Sequence, residues 1–195
     1  MPRARDHDHP MAQGPTAGGS DTEEVRTDVA RLFLALWPDP KLARSLRALC
    51  GERIGAGGFQ LVATERIHLT LHFLGNVQRH RIPELLQALD LPFDLFELGL
   101  SRCDEWRHGL LVVIPDTIPL PMVHLHADLG AALRGLGLQI DEREFRPHLT
   151  LARRHFQALP KTTTLPLRWW VDGYVLVESR TSPRSEYQVL HRYAI

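Results

Sequence analysis

Apolar positions along this chain fall into short runs whose period changes between two and about four. The stretch RLFLALW from Arg31 to Trp37 is continuous enough for a buried strand, and Pro38, Asp39 and Pro40 turn it into a helix. That helix is expected to present Leu42, Leu46, Leu49 and Ile54 on one face and to end at Gly55, Gly57 and Gly58. Residues 59–63 suit a short strand, the run HLTLHFLG from His68 a longer one, and 81–89 a second helix with Pro83 in its first turn. The order then restarts, with strands expected at 93–103 and 109–115, a helix at 121–136, and strands at 148–154, 166–178 and 186–193. Sequential strands are close enough to pair antiparallel, and helices are too few for a doubly wound sheet. The expected class is therefore α+β.

Two of the expected strands carry the same tetrapeptide. His68, Leu69, Thr70 and Leu71 recur as His148, Leu149, Thr150 and Leu151, an HxTL pattern at a separation of 80 residues. Side chains alternate along a strand, so His68 and Thr70 face one way and Leu69 and Leu71 the other, and the second copy does the same. Within each copy the histidine and threonine lie about 6.5–7 Å apart along the strand, within reach of one small anion. The spacing suits a duplicated lobe better than a solenoid repeat. The expected architecture is two pseudo-symmetric lobes of antiparallel sheet with flanking helices, around a central groove into which both motifs point.

Composition narrows the chemistry. Lys and Arg number 23 and Asp and Glu number 23, which argues for a local anion site and against broad electrostatic capture of nucleic acid. Residues 1–27 are rich in Pro, Gly and charge and nearly devoid of large apolar side chains. They are expected to form a disordered tail ahead of a bilobal domain at 28–195, with no secretory signal and no membrane span. Cys50 and Cys103 lack metal-ligand spacing and fit a reducing cytoplasm. His124 and His126, two positions apart on a helix, do not face one another, so no metal site is expected there.

The segments RIHLTLHFLGNV (Arg66 to Val77) and FRPHLTLARR (Phe145 to Arg154), with RLFLALWP before them and VLVESR and EYQVLHRY after them, resemble the 2H phosphoesterase superfamily, and within it the RNA 2′,3′-cyclic phosphodiesterases, also called 2′-5′ RNA ligases. The chain departs from that pattern where family members carry a glycine between the last serine and the tyrosine; here RTSPRSE separates Ser179 from Tyr187. The resemblance implies hydrolysis of RNA 2′,3′-cyclic phosphate ends to 2′ phosphomonoesters without metal or cofactor, with ligation as a minor reverse reaction. It implies His68 as general acid, His148 as general base, and Thr70 and Thr150 as donors to the phosphate. A monomer acting on an RNA end or a cyclic nucleotide is the expected form. A noncatalytic RNA or nucleotide binding module, or a phosphodiesterase for small cyclic nucleotides, is the alternative; a metallohydrolase is disfavoured because neither motif has a nearby carboxylate with zinc-ligand spacing.

Several other residues stay open from sequence. Arg153 suits a second phosphate, but its parity is opposite to His148; a regular strand brings Arg154 to the histidine face, and a bulge brings Arg153. His72 shares the parity of His68 and Thr70. Phe33, Trp37 and Trp106 are candidates to stack on a terminal base, with core packing the default for Phe33.

Overall fold

The structure, a computed structural model, describes residues 28–53, 60–154, 167–180 and 186–194. The expected tail at 1–27, Ile54, the glycines that were to end the first helix and most of the RTSPRSE segment fall outside them. In chain order the strands are β1 (Val29–Leu36), β2 (Gln60–Leu61), β3 (Leu69–Gln78), β4 (Phe96–Leu100), β5 (Arg102–Trp106), β6 (Leu110–Ile114), β7 (Leu149–Arg153), β8 (Leu167–Val171), β9 (Gly173–Arg180) and β10 (Glu186–Ala194). The α-helices are α1 (Pro40–Arg53), α2 (Ile82–Ala88) and α3 (Leu120–Gly135). Asp39 starts α1 as expected, its carboxylate accepting the backbone N–H groups of Lys41 at 2.7 Å and Leu42 at 2.9 Å, with Pro40 at the first helical position.

The strands run β10-β9-β1-β3-β7-β6-β5, with β2 added to β7 and a separate two-stranded sheet of β4 and β8. Every pairing is antiparallel. This is the α+β class, and the two halves of the long sheet meet at the two motif strands. Leu42 and Leu46 of α1, Leu85 of α2, and Met122, Leu125, Leu129 and Leu133 of α3 join Leu69, Leu71, Leu149 and Leu151 in one buried cluster. The helices thus cover the leucine face, and the opposite face of the motif strands is left for chemistry.

Two strand expectations need correction. The span 93–103 divides at Ser101, whose backbone N–H donates to Asp116, so that β4 belongs to the small sheet and β5 to the large one. The span 166–178 likewise divides at Asp172 between β8 and β9. Periodicity reports that side chains alternate; it does not report that a chain changes sheets. Gly173 sits at the second crossing, where a Cβ would come within 2.5 Å of the Tyr193 carbonyl oxygen, so the close approach of β10 requires glycine.

Candidate active site

Strands β3 and β7 are bridged at one pair, Leu69 opposite Leu149. Antiparallel pairing is locally two-fold symmetric, so this register sets His68 beside Thr150 and Thr70 beside His148. All four side chains line a cavity of about 540 Å³, within the range of small-ligand pockets. The symmetry extends to the tautomers. Nδ1 of His68 lies 2.7 Å from the carbonyl oxygen of Arg66, and Nδ1 of His148 lies 2.8 Å from that of Arg146. A carbonyl only accepts, so each Nδ1 donates and each Nε2 is the nitrogen left for chemistry.

The aromatic surroundings repeat as well. His68 stacks on Trp37 at 5.3 Å between ring centroids and meets Phe33 at 5.0 Å and Tyr187 edge-on at 5.3 Å. His148 meets Trp106 at 4.4 Å. An arginine two residues before each histidine lies over the neighbouring aromatic ring: Arg66 over Tyr187 and Arg146 over Trp106, both at 4.7 Å. Burial is the main reason that the His68 pKa falls from 6.5 to about 4; its bond to the Arg66 carbonyl acts the other way, and the positive fields of His148, Arg66 and Arg153 add to the fall. The His148 pKa is also lowered, by burial and by the Arg146 charge against the opposing effect of the Arg146 carbonyl. An anion held here would be attracted by the same charges that disfavour imidazolium.

A bulge at the same place in each motif sets the direction of the residues beyond it. Along β7, Thr150 pairs with Val112 and Ala152 with Leu111, leaving Leu151 as an extra residue. Leu151 and Ala152 are consequently both buried, and Arg153 returns to the cavity beside His148 and Thr150. Arg154, exposed and at φ 58°, leaves the strand, so the choice left open by sequence falls on Arg153. Along β3, Thr70 pairs with Ala35 and His72 with Leu34, leaving Leu71 as the extra residue. His72 is therefore turned to the core face, 4% exposed, contrary to its parity in a regular strand. Its Nε2 donates to the His126 carbonyl at 2.8 Å, and the His126 ring stacks on it. The other bulged carbonyl, of Leu151, accepts Val62 N–H at 2.8 Å.

Phe73, which parity hid, takes the place in β3 that Arg153 takes in β7 and lines the same cavity. Arg66 and Tyr187 line it too; the repeated arginine two residues before each histidine was the available signal for the first. Of the stacking candidates, Phe33 is core as expected at 2% exposure, and Trp37 and Trp106 are half-buried against the two histidines. A separate cavity of about 600 Å³ beyond Trp37 sets Asp39, Glu65 and Asp172 against Arg44 and Arg192, a charge balance that does not favour an anion. Among the described residues no group of three or more His, Cys, Asp or Glu side chains is placed to hold a metal ion, and no helix is long and apolar enough to cross a membrane.

The family model described as the 2′-5′ RNA ligase superfamily matches residues 35–183, a span holding both motifs. The chain belongs to the 2′-5′ RNA ligase superfamily. Within this superfamily it is similar to an RNA 2′,3′-cyclic phosphodiesterase of Methanocaldococcus jannaschii, 30% identical over 128 residues that make up 65% of this chain and 72% of the relative. An RNA 2′,3′-cyclic phosphodiesterase of Archaeoglobus fulgidus is 26% identical over 127 residues, 63% of this chain and 72% of the relative. In fold it is similar to E. coli LigT, whose crystal structure in complex with 3′-AMP superposes with a TM-score of 0.75 at 24% identity, covering 86% of this chain and 98% of LigT.

Proposed function

We propose that this superfamily member is an RNA 2′,3′-cyclic phosphodiesterase that opens terminal cyclic phosphates to 2′ phosphomonoesters by histidine acid and base catalysis, without a metal ion. The observation that carries the reading is the local two-fold at Leu69 and Leu149, which gives one cavity two imidazoles with the same tautomer and two hydroxyls. The similar archaeal proteins named RNA 2′,3′-cyclic phosphodiesterase support the substrate class. Displacement at phosphorus sets the attacking and leaving oxygens roughly in line, and two histidines related by a dyad suit those two positions.

In the reaction, Nε2 of His148 takes a proton from water as its oxygen bonds to phosphorus. The bond from phosphorus to the ribose 3′ oxygen breaks, and His68 delivers a proton from Nε2 to that oxygen. Thr70, Thr150 and Arg153 stabilise the charge that grows on the nonbridging oxygens. With an RNA 5′ hydroxyl in place of water, the same steps join that end to the cyclic phosphate through a 2′-5′ linkage as the bond to the 3′ oxygen breaks and His68 protonates that oxygen; water at bulk concentration keeps hydrolysis dominant.

The test is incubation of the purified protein, with EDTA present, with a short RNA ending in a 2′,3′-cyclic phosphate. A phosphatase-sensitive 2′ phosphate identified by phosphorus NMR is the expected product. His68→Ala and His148→Ala should each lower kcat by about 10²–10⁴-fold and keep the wild-type circular dichroism spectrum. Near wild-type turnover by either variant, or turnover abolished by EDTA, defeats the reading.

A further inference from the structure

The cavity of about 600 Å³ beyond Trp37 is a neighbour of the two-histidine cavity, and two elements connect them. The first is a single 3₁₀ turn, Thr64–Arg66, with Ala63 before it: Ala63 and Arg66 line the catalytic cavity, and Thr64 and Glu65 line the outer one. The second is Trp37, which stacks on His68 at an interplanar angle of 8° and also lines the outer cavity.

The proposed reaction gives a bound RNA end a direction. Displacement at phosphorus sets the water on His148 opposite the 3′ oxygen on His68, so the terminal ribose lies on the His68 side. The remainder of an RNA chain leaves from the 5′ carbon of that ribose. Behind His68 stand Trp37 and the outer cavity.

The outer cavity suits an uncharged, planar group with hydrogen-bonding edges. Glu65 and Asp172 present carboxylates that accept, Arg44 and Arg192 present guanidinium groups that donate, and there is no excess of positive charge to select a phosphate. These four side chains are exposed, and among the described residues none is engaged in an ion pair. Trp170 adds an aromatic face: alternation along β8 buries Trp169 at 6% exposure and leaves Trp170 at 67% exposure on the cavity wall. An exposed indole is a stacking surface that accepts any unpaired base.

We propose that this cavity is a second nucleotide subsite, in which the base of the penultimate nucleotide stacks on Trp170 while the carboxylates and guanidinium groups meet its edges. The proposal rests on the functional reading above and narrows its substrate class: an RNA chain end is preferred to a mononucleoside cyclic phosphate.

Calorimetric binding of three product-like ligands to wild type, Trp170→Ala and Trp170→Phe tests it. The ligands are adenosine 2′-monophosphate, the dinucleotide ApA with a terminal 2′ phosphate, and the same dinucleotide lacking the base of its first residue. Wild type should prefer the complete dinucleotide to the mononucleotide, and removal of the first base should abolish that preference. Trp170→Ala should weaken the complete dinucleotide by roughly 5- to 150-fold and change the mononucleotide by no more than about twofold; Trp170→Phe should keep a dinucleotide preference. Equal binding of mononucleotide and dinucleotide by wild type, an abasic dinucleotide as tight as the complete one, or a Trp170→Ala variant that changes neither ligand or both alike overturns the proposal. Failure of the wild type to open a cyclic phosphate end is a separate result: with the dinucleotide preference intact, it counts against the functional reading alone.

Discussion

The depressed histidines make the pH dependence of the reaction a sharp test of the site. Free His68 has a pKa near 4, so at pH 7 only about one molecule in a thousand carries its proton. His148 is also shifted below 6.5. The proposed mechanism needs one proton on the pair, as general acid, while burial and positive charge favour the neutral imidazoles in the free protein at neutral pH. The quantity kcat/KM, which reports the free enzyme, should therefore fall about tenfold per pH unit from pH 7 upward, with its optimum below 6.5. The bound phosphodiester reverses the sign. An anion within about 4–6 Å favours imidazolium and raises a pKa by about 1–3 units, so the kcat optimum should lie at higher pH than that of kcat/KM by a comparable amount. Initial rates on adenosine 2′,3′-cyclic phosphate between pH 4.5 and 8.5, at constant ionic strength, resolve both profiles. Coincident bells, or a kcat/KM that is flat from pH 6 to 8, would refute the argument that burial and positive charge hold both histidines neutral until substrate arrives.

Two further expectations concern the arginines. Arg153→Ala should raise KM by roughly 10- to 150-fold, the loss of a hydrogen bond to a charged group, and Arg154→Ala should leave KM near wild type; steady-state kinetics of the two variants decides between the bulged and the regular strand. Arg79→Ala should destabilise the fold by about 1–3 kcal/mol in urea unfolding at pH 7, because it leaves the Glu178 carboxylate, 3% exposed, with Arg180 as its remaining ion-pair partner. The cost stays below that of a fully buried pair, since Arg79 is 36% exposed and solvent screens it. Burial alone would raise the Glu178 pKa, and Arg79 and Arg180 more than offset it. The pair's contribution is thus present above the unfolded pKa of about 4.3 and lost as pH falls through the lower folded value. The stability gap between wild type and variant should shrink on acidification, and a gap independent of pH would rule out the ion pair as its cause.

The motif strands, the helix that begins after Asp39, and the pairing of each histidine with its threonine were legible because each depends on local alternation or local capping. Leucines 69, 71, 149 and 151 are buried where period two places them. Leucine's aversion to water is a property of the residue, and the alternation of faces is a property of extended backbone. Those two facts, applied to HLTL twice, were enough to assign two histidines and two threonines to a common face.

The tertiary structure decided the course of each strand beyond its motif. A bulge adds one residue without any mark in composition, and it inverts the side chains that follow it up to the next irregularity, which in β3 is a second extra residue at Leu74. His72, which shares the parity of the groove residues, bonds to α3 instead, Phe73 lines the cavity, and of Arg153 and Arg154, between which the sequence left the choice open, it is Arg153 that lines it. What lies beside each extra residue comes from elsewhere in the fold: the Val62 backbone N–H donates to the Leu151 carbonyl, and after Leu71 the His72 ring is held by the His126 carbonyl. Both Val62 and His126 are far from those residues in sequence. The same holds for the dyad: that Leu69 faces Leu149, and that each histidine consequently stands beside the other strand's threonine, depends on how the two halves of the sheet dock. Sequence alone determined which residues share the cavity face of each motif strand; the docking of the strands and the bulge after each motif threonine determined how those residues meet and which neighbours join them.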